Sequence, residues 1–327
     1  MVIIDAEVKV LKESDPFKKI ELAGRTCYKS EENITEGSAR KFVKGMMERK
    51  HVAMLEHATF VFQVDPDIFG KFCVQYSRPK NLGSNHAFLN HTYNDEDPEN
   101  VRCLISGNLR AINESCSAPL IYALYKYDED LVYPEHKAFL TRSLESSENL
   151  FGGKINILSE EDIADLTYEE RLCHEYHSIK FVVDRGVSHE IVRHRPASFA
   201  QESTRYCNYS KDKFGNSITV IRPLFFKEDS VEMAAWESAM HSVEKSYFSL
   251  LEMGCTPQQA RTVLPNSLKT EIIMTANVAE WKHFLNLRSR GITGAPHPQM
   301  KEVADMVMSE IGNRVYEDLA EENVETE

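Results

Sequence analysis

Two short segments rich in β-branched and aromatic residues constrain the fold most. They are HATFVFQVD at 57–65 and YHSIKFVVD at 176–184, and this composition is typical of β-strands. The opening residues, 1–15, predict a further strand. Apolar residues instead recur at helical spacing over 229–253 and over 298–317. Strands and helices together predict an α/β (α+β) fold.

Shorter patterns predict the remaining elements. A helix over 33–50 has Thr35 and Ser38 as candidate caps, and a second short helix begins at Ser188 and ends near Val192. Further helical patterns cover 109–127, 257–264 and 270–287, and polar segments at 143–149 and 159–162 predict surface loops.

Composition narrows the class of protein. No stretch reaches the roughly 18 apolar residues of a membrane span, and the first residues carry neither a basic leader nor a cleavage site. The seven cysteines are odd in number and form no C-x-x-C pair, which argues against a disulfide framework or a zinc ribbon. We therefore predict a cytoplasmic protein with reduced thiols.

The charge distribution indicates a small anionic ligand. A net charge of -13 makes the chain a poor general binder of nucleic acid, because phosphate contacts need clustered lysines and arginines. Residues 193–211 run against this trend, with Arg193, Arg195, Arg205 and Lys211 beside the single acid Glu202. A local positive site on an acidic body favours a small anion over a long polyanion.

The densest cluster of reactive side chains is RHRPASFAQESTRY at 193–206. The side chains of Arg193, His194 and Arg195 are cationic or can become so, and they cannot all point one way. They can therefore bind two different anionic groups. Ser203 and Arg205 place a hydroxyl and a guanidinium two residues apart, a combination that favours phosphate. Composition alone supports about equally the alternative that this run forms surface salt bridges.

The same run resembles the signature of flavin-dependent thymidylate synthases, the ThyX family. The matching pattern is Arg193-His194-Arg195, seven residues, then Ser203. The resemblance is dense over 174–300 and thinner over 20–65. Other blocks that resemble the family are 187–190, Arg205-Tyr206, 260–265, 275–277, 281–288 and His297, with His51 and 55–57 upstream.

The resemblance implies an enzyme that converts dUMP to dTMP. Its carbon donor would be 5,10-methylenetetrahydrofolate, and FAD reduced by NADPH would supply the hydride. It also implies a central mixed or antiparallel sheet flanked by helices, in a homotetramer whose active sites are shared between subunits. We expect no nucleic acid or membrane partner, given the charge and the lack of an apolar span. We also expect no metal, since no third ligand is placed beside His174 and His177.

The resemblance also implies a role for each matched residue. The side chains that would bind dUMP are Glu190, Arg193, Gln201, Ser203, Arg205, Arg261 and Arg288. Those that would bind FAD are His51, Arg193, His194, Arg195, Asn277 and His283. Arg288 is the candidate catalytic residue, because a permanently charged guanidinium against uracil stabilises the negative charge that activates C5. No cysteine nucleophile is required, so Cys207 is expected to be a structural thiol.

The chain departs from the family pattern at several points. Glu190 stands where Gln is common, Ala279 where Arg is frequent, and Ala53 where a hydroxyl residue is common. Residues 66–173 look like a partly helical insertion within a single catalytic domain, 1–327. These departures keep open the alternative of a catalytically inactive nucleotide- or RNA-binding relative.

Overall fold

The computed structural model describes residues 1–76, 88–95, 101–205, 207, 209 and 215–321. Within these ranges, helices pack on two four-stranded antiparallel sheets, and a parallel strand pair forms a smaller third sheet. The predicted mixture of helices and strands is thus confirmed. The strands are β1 (Val2–Ile4), β2 (Glu7–Val10), β3 (Thr59–Val64), β4 (Leu89–Asn94), β5 (Arg102–Asn108), β6 (Ile155–Ile157), β7 (Tyr176–Asp184), β8 (Ser198–Gln201), β9 (Thr219–Ile221) and β10 (Lys269–Asn277).

The helices lie between and after these strands. They are α1 (Pro16–Tyr28), α2 (Ser38–Glu48), α3 (Pro66–Tyr76), α4 (Leu109–Glu114), α5 (Ala118–Tyr127), α6 (Pro134–Phe151), α7 (Glu160–Ala164), α8 (Tyr168–His174), α9 (Arg185–Ile191), α10 (Val231–Glu252), α11 (Pro257–Ala260), α12 (Val278–Arg288), α13 (Pro298–Val315) and α14 (Glu317–Glu321). Short 3-10 turns cover Glu31–Asn33, Val52–His57, Glu129–Leu131 and Arg261–Val263. No helix in the described ranges is both long and apolar enough to cross a membrane.

The first sheet has the order β2-β7-β10-β8 and carries most of the sequence motifs. β7 and β10 pair along their full length, with Lys269 opposite Asp184 at one end. Helices α12 and α13 cover one face, where Trp281 and Phe284 pack against Phe181. Burying each of these large side chains contributes roughly 2 to 3 kcal/mol, so this face anchors the motif-bearing strands firmly.

The second sheet has the order β4-β5-β3-β6. Three of its strands come from residues 66–173, and β3 is hydrogen-bonded to two of them, β5 and β6. Its core is separate from that of the first sheet and centres on Phe62, Ile105 and Leu120. The segment predicted as an insertion therefore builds most of a sheet, whereas the single-domain organisation stays a prediction.

A buried histidine joins the second sheet to the first. His174 at the end of α8 is within hydrogen-bond distance of Ser106 (2.7 Å, from Nδ1) and Thr92 (2.8 Å, from Nε2). Asn90 donates to the Tyr176 hydroxyl at 2.7 Å. Burial lowers the pKa of His174 to about 4, so the ring is neutral and its role is structural.

The helix predicted over 270–287 is wrong in its first half. Residues 269–277 form β10, the strand at the centre of the first sheet, and α12 begins only at Val278. Because β10 is covered on both faces, seven consecutive residues are buried and no polar alternation marks the strand. The β-branched side chains of Thr270, Ile272, Ile273 and Thr275 favour a strand on that buried surface.

Several predicted boundaries also need correction. The helix predicted over 33–50 begins at Ser38, and the residue before it is Gly37, with φ of 75° and no side-chain cap. The short helix after β7 is capped by Asp184 rather than Ser188, because the Asp184 carboxylate accepts from the Val187 N–H at 2.8 Å. Residues 143–149 lie inside α6, and Ser159 caps α7.

Other element predictions are confirmed. β7 has the bounds predicted for it, and 1–15 contains β1 and β2. The helical patterns at 109–127, 229–253 and 298–317 correspond to α4 with α5, to α10 and to α13. The pattern over 257–264 becomes α11 followed by a 3-10 turn.

Candidate active site

Arg288 at the end of α12 contacts the segment that follows α9. Its Nε donates to His194 Nε2 at 3.0 Å, and its Nη1 donates to Glu190 at 2.6 Å. The fold explains why Arg288 contacts His194 and Glu190. α9 leaves the end of β7 that pairs with Lys269, and α12, about 16 Å long, runs on from the opposite end of β10. The sheet register therefore brings residues 94 to 98 positions apart into one cluster.

His194 is the buried centre of this cluster. It is 3% exposed, and its ring packs edge-on against Phe284 with the centroids 4.9 Å apart. Burial, with smaller contributions from Arg288 and His283, lowers the pKa of His194 to about 4. A neutral ring that accepts from Arg288 at Nε2 must carry its proton on Nδ1.

Glu280 faces that proton from the first turn of α12. One carboxylate oxygen lies 4.0 Å from His194 Nδ1, and burial raises the pKa of Glu280 to about 7. His194, Glu280 and His283 bring possible metal-ligand atoms within 4.8 Å of one another. The hydrogen bond from Arg288, however, occupies the only lone pair of the neutral His194 ring. The ring therefore has no free nitrogen to bind a cation, and its Nδ1–H can donate to Glu280.

A second cluster follows β8. Arg261 Nη1 donates to the Thr204 hydroxyl at 3.3 Å, and the Ser203 hydroxyl accepts from the Arg205 N–H at 3.3 Å. The Ser203 backbone is fixed in turn, because its N–H donates to the Cys27 carbonyl at 3.0 Å. The Arg205 side chain is exposed. The Arg261 guanidinium thus meets the hydroxyl-bearing segment 203–205 from a distant part of the chain; Tyr206 of the motif lies outside the described residues.

Gln201 connects the two clusters. Its amide donates to the hydroxyl of Ser188 on α9 at 2.9 Å and to that of Thr270 on β10 at 3.3 Å. Ser188 lies two residues before Glu190, and Gln201 lies two residues before Ser203. The Gln201 side chain therefore holds the end of β8 against the helix that carries Glu190.

A group of buried ion pairs lies beside the second cluster. Lys29, Lys180 and Lys269 all form ion pairs with Glu271, and Lys269 also pairs with Glu202 at 2.9 Å. Burial alone would raise the pKa of Glu271, but the three lysines hold it well below its usual range. These pairs tie α1 to β7 and β10 next to Ser203.

The remaining predicted residues are more open. Arg193, Arg195, His283 and His51 are exposed, and His51 stands at the start of the Val52–His57 turn. The described contacts do not join His51 to the other predicted residues. The Asn277 side-chain oxygen Oδ1 caps α12 by accepting from the Glu280 N–H at 3.0 Å, and its contact with FAD stays a prediction.

The predicted site residues did not include Glu280, Thr204 or Ser188, although the last two lie within the matched blocks 193–206 and 187–190. Glu280 could have been found from helical spacing, because it lies three residues before His283 and eight before Arg288, on one face of α12. A cavity of about 1030 Å³ lies elsewhere, between the two four-stranded sheets, with His57, Tyr176 and Arg314 in its lining. None of the predicted site residues lines that cavity.

Comparison with known proteins identifies the family. Residues 9–70 and 161–315, about two thirds of the chain, match the profile of the Thy1 family, described as thymidylate synthase complementing protein. The chain therefore belongs to this family, as the motifs predicted. The matched blocks omit residues 71–160, which lie within the predicted insertion.

Similar proteins carry the corresponding name. A flavin-dependent thymidylate synthase of Geobacter sulfurreducens is 37% identical over 106 residues, which is 32% of this chain and 44% of that protein. Proteins of the same name from Pyrococcus abyssi and Thermococcus kodakarensis are each 32% identical, over 40% and 45% of this chain and 51% and 59% of their own lengths. The chain thus spans about half the length of the relatives it matches.

Among solved structures, the UMP/dUMP methylase PolB from Streptomyces cacaoi bound with 5-Br dUMP aligns over 94% of this chain and 91% of its own. It has 13% sequence identity and a TM-score of 0.39, and a TM-score of that size does not establish a shared fold.

Proposed function

We propose that this chain is a flavin-dependent thymidylate synthase that converts dUMP to dTMP. It takes the carbon from 5,10-methylenetetrahydrofolate and the reducing equivalents from NADPH through FAD. The observation that carries the proposal is the contact of Arg288 with both His194 and Glu190. A protein that only binds phosphate has no need of a second, distant arginine held by the Arg193-His194-Arg195 segment (the RHR segment).

The dUMP phosphate would be bound by the second cluster. Ser203, Arg205 and Arg261 offer a hydroxyl and two guanidiniums from segments that meet at Thr204. Charge-assisted bonds from arginine to phosphate are about twice as strong as neutral ones, which suits a site on an acidic protein. Gln201 would set the distance from the phosphate to the uracil end, because it bridges toward Glu190.

The uracil ring would lie against Arg288. A guanidinium stays charged throughout the reaction, so it stabilises the negative charge that builds on the pyrimidine oxygen as C5 attacks carbon. His194 fixes its orientation, since the hydrogen bond at Nε leaves the outer nitrogens to face Glu190 and the nucleotide. We infer that Glu190, predicted above as a dUMP contact, instead competes with dUMP for Arg288, because its side chain already accepts from the Arg288 guanidinium.

The exposed cations of the RHR segment fit a flavin dinucleotide. Arg193 and Arg195 suit an anionic pyrophosphate, and the exposed imidazoles of His283 and His51 suit the polar edges of the ring system. Bound FAD would supply the hydride that completes the methyl group. Ala279 adds no charge, so Arg193 and Arg195 would hold the flavin without help from that position.

Exposure of these side chains also supports a shared site. In one chain Arg193, Arg195, His283 and His51 stand open to solvent, whereas hydride chemistry needs an enclosed site. A second subunit would close it, as in a homotetramer with sites between subunits. We also propose a cytoplasmic location, since an odd number of cysteines with no C-x-x-C pair suits a reducing compartment.

An anaerobic assay tests the proposal. Purified protein reconstituted with FAD should be yellow and should form dTMP from dUMP, methylenetetrahydrofolate and NADPH. Omission of any one substrate should abolish the product. A protein that binds dUMP but remains colourless and makes no dTMP would instead support an inactive nucleotide-binding relative.

A further inference from the structure

The Glu280 carboxylate and the His194 ring form a pair that the predicted roles leave unexplained. Glu280 is 7% exposed and His194 3% exposed. The facing atoms, Glu280 Oε1 and His194 Nδ1, lie 4.0 Å apart, and neither has another hydrogen-bond partner among the described residues. A buried polar atom without a partner costs about 1 to 3 kcal/mol, so two that face each other call for a functional reason.

The direction of the interaction follows from Arg288. Its Nε–H can only donate, so His194 Nε2 must accept and the ring proton must sit on Nδ1. That proton points toward Glu280, which can accept it. The arrangement is a chain in which a carboxylate orients an imidazole and the imidazole orients a guanidinium.

We propose that Glu280 is a positioning residue that acts on Arg288 through His194, an inference that rests on the proposed function for its kinetic readout. The carboxylate accepts a hydrogen bond from Nδ1–H, and the 4.0 Å separation closes when the site is filled. Such bonds are commonly long before substrate binds. The bond locks the tautomer whose Nε2 lone pair holds Arg288 against the pyrimidine.

The surroundings of Glu280 make the pair sensitive to pH. Its carboxylate faces His194 from the segment after α9 and His283 from its own helix, with Arg288 behind His194. Burial alone raises the pKa of Glu280 to about 7, with no contribution from charged groups of the packed elements α8, α13 or β10 among the described residues. The ionised, stronger acceptor therefore forms as the pH rises through neutrality.

The test compares Glu280→Ala and Glu280→Gln with the wild type. Nitrogen NMR of histidine-labelled protein, assigned with a His194→Gln variant, reports the tautomer without any turnover. We expect the Nδ1–H form in the wild type and in Glu280→Gln, whose amide oxygen also accepts, and a mixture of tautomers in Glu280→Ala. In the dTMP assay, kcat of Glu280→Ala should fall about tenfold, with KM for dUMP little changed.

The glutamine variant separates positioning from mere packing. It should restore most of kcat but lose the rise in kcat with pH near 7, because an amide does not ionise. An unchanged tautomer in Glu280→Ala, or equal pH profiles for wild type and Glu280→Gln, would overturn the proposal. If the wild type makes no dTMP, the proposed function fails, and the tautomer measurement still decides whether Glu280 orients His194.

Discussion

Replacing Glu190 with glutamine tests whether its ion pair with Arg288 holds back the nucleotide. The two side chains meet at 2.6 Å and are 33% and 23% exposed, respectively. Water screens a pair this open, so the pair is worth about 1 kcal/mol or less. If dUMP must displace the carboxylate, removing its charge makes the free energy of dUMP binding more favourable by that amount. Since 1.4 kcal/mol corresponds to a factor of ten, dUMP should bind Glu190→Gln more tightly, by up to about fivefold.

The assay is calorimetric titration of FAD-reconstituted protein with dUMP at low and high ionic strength. The advantage of Glu190→Gln should shrink in high salt, because screening already weakens the ion pair of the wild type. Glu148→Gln is the matched control. Glu148 on α6 pairs with Lys126 and accepts from Tyr122, both on α5 and away from both clusters, so its replacement should leave dUMP affinity unchanged. Equal or weaker binding by Glu190→Gln would refute the competition.

Four further predictions concern the two clusters and the buried acids. Arg288→Ala should nearly abolish dTMP formation while the absorption spectrum still shows bound flavin; near-normal turnover would remove Arg288 from the chemistry. Ser203→Ala should weaken dUMP binding about fivefold in the same titration, the loss of one hydrogen bond. Glu271→Gln leaves three lysines without their shared carboxylate and should lower the free energy of unfolding in urea by about 3 kcal/mol at pH 7. Because the lysines depress the pKa of Glu271, that difference should fade as the pH falls below the ordinary 4.5. Glu280 behaves oppositely, because folding raises its pKa from 4.5 to about 7. The stability of the wild type therefore declines as the pH rises from 4.5 to 7. Urea titrations should show Glu280→Gln gaining about 2 to 3 kcal/mol relative to wild type between those pH values.

The sequence was enough to predict elements that have one solvent-exposed face or a regular spacing of apolar residues. α13 buries Met300, Val303 and Val307 at helical spacing, so its pattern is visible in the sequence. β10 is different, because it is covered from both sides and its apolar run fits a helix as well as a strand. Only the pairing with β7 and β8 decides between them, and sequence spacing does not report pairing.

The candidate site was predictable as a set of residue types but not as a geometry. The RHR run and Ser203 lie close in sequence, so one motif points to both. Nothing in the spacing shows that Arg288 contacts His194, since that contact depends on the register of β7 against β10. Glu280 was missed because its importance comes from burial against a ring 86 positions earlier in the chain, which a linear motif does not report.

The pairing of β3 limits how this polypeptide can be shortened. Both strands that flank β3 come from the stretch that the family profile leaves unmatched, so trimming residues 71–160 would strip it of hydrogen-bonded neighbours on both sides. Bare strand edges recruit other chains, and a polypeptide cut to the family minimum should aggregate rather than refold. Engineering or crystallisation of a smaller version would need replacement strands, not merely a linker.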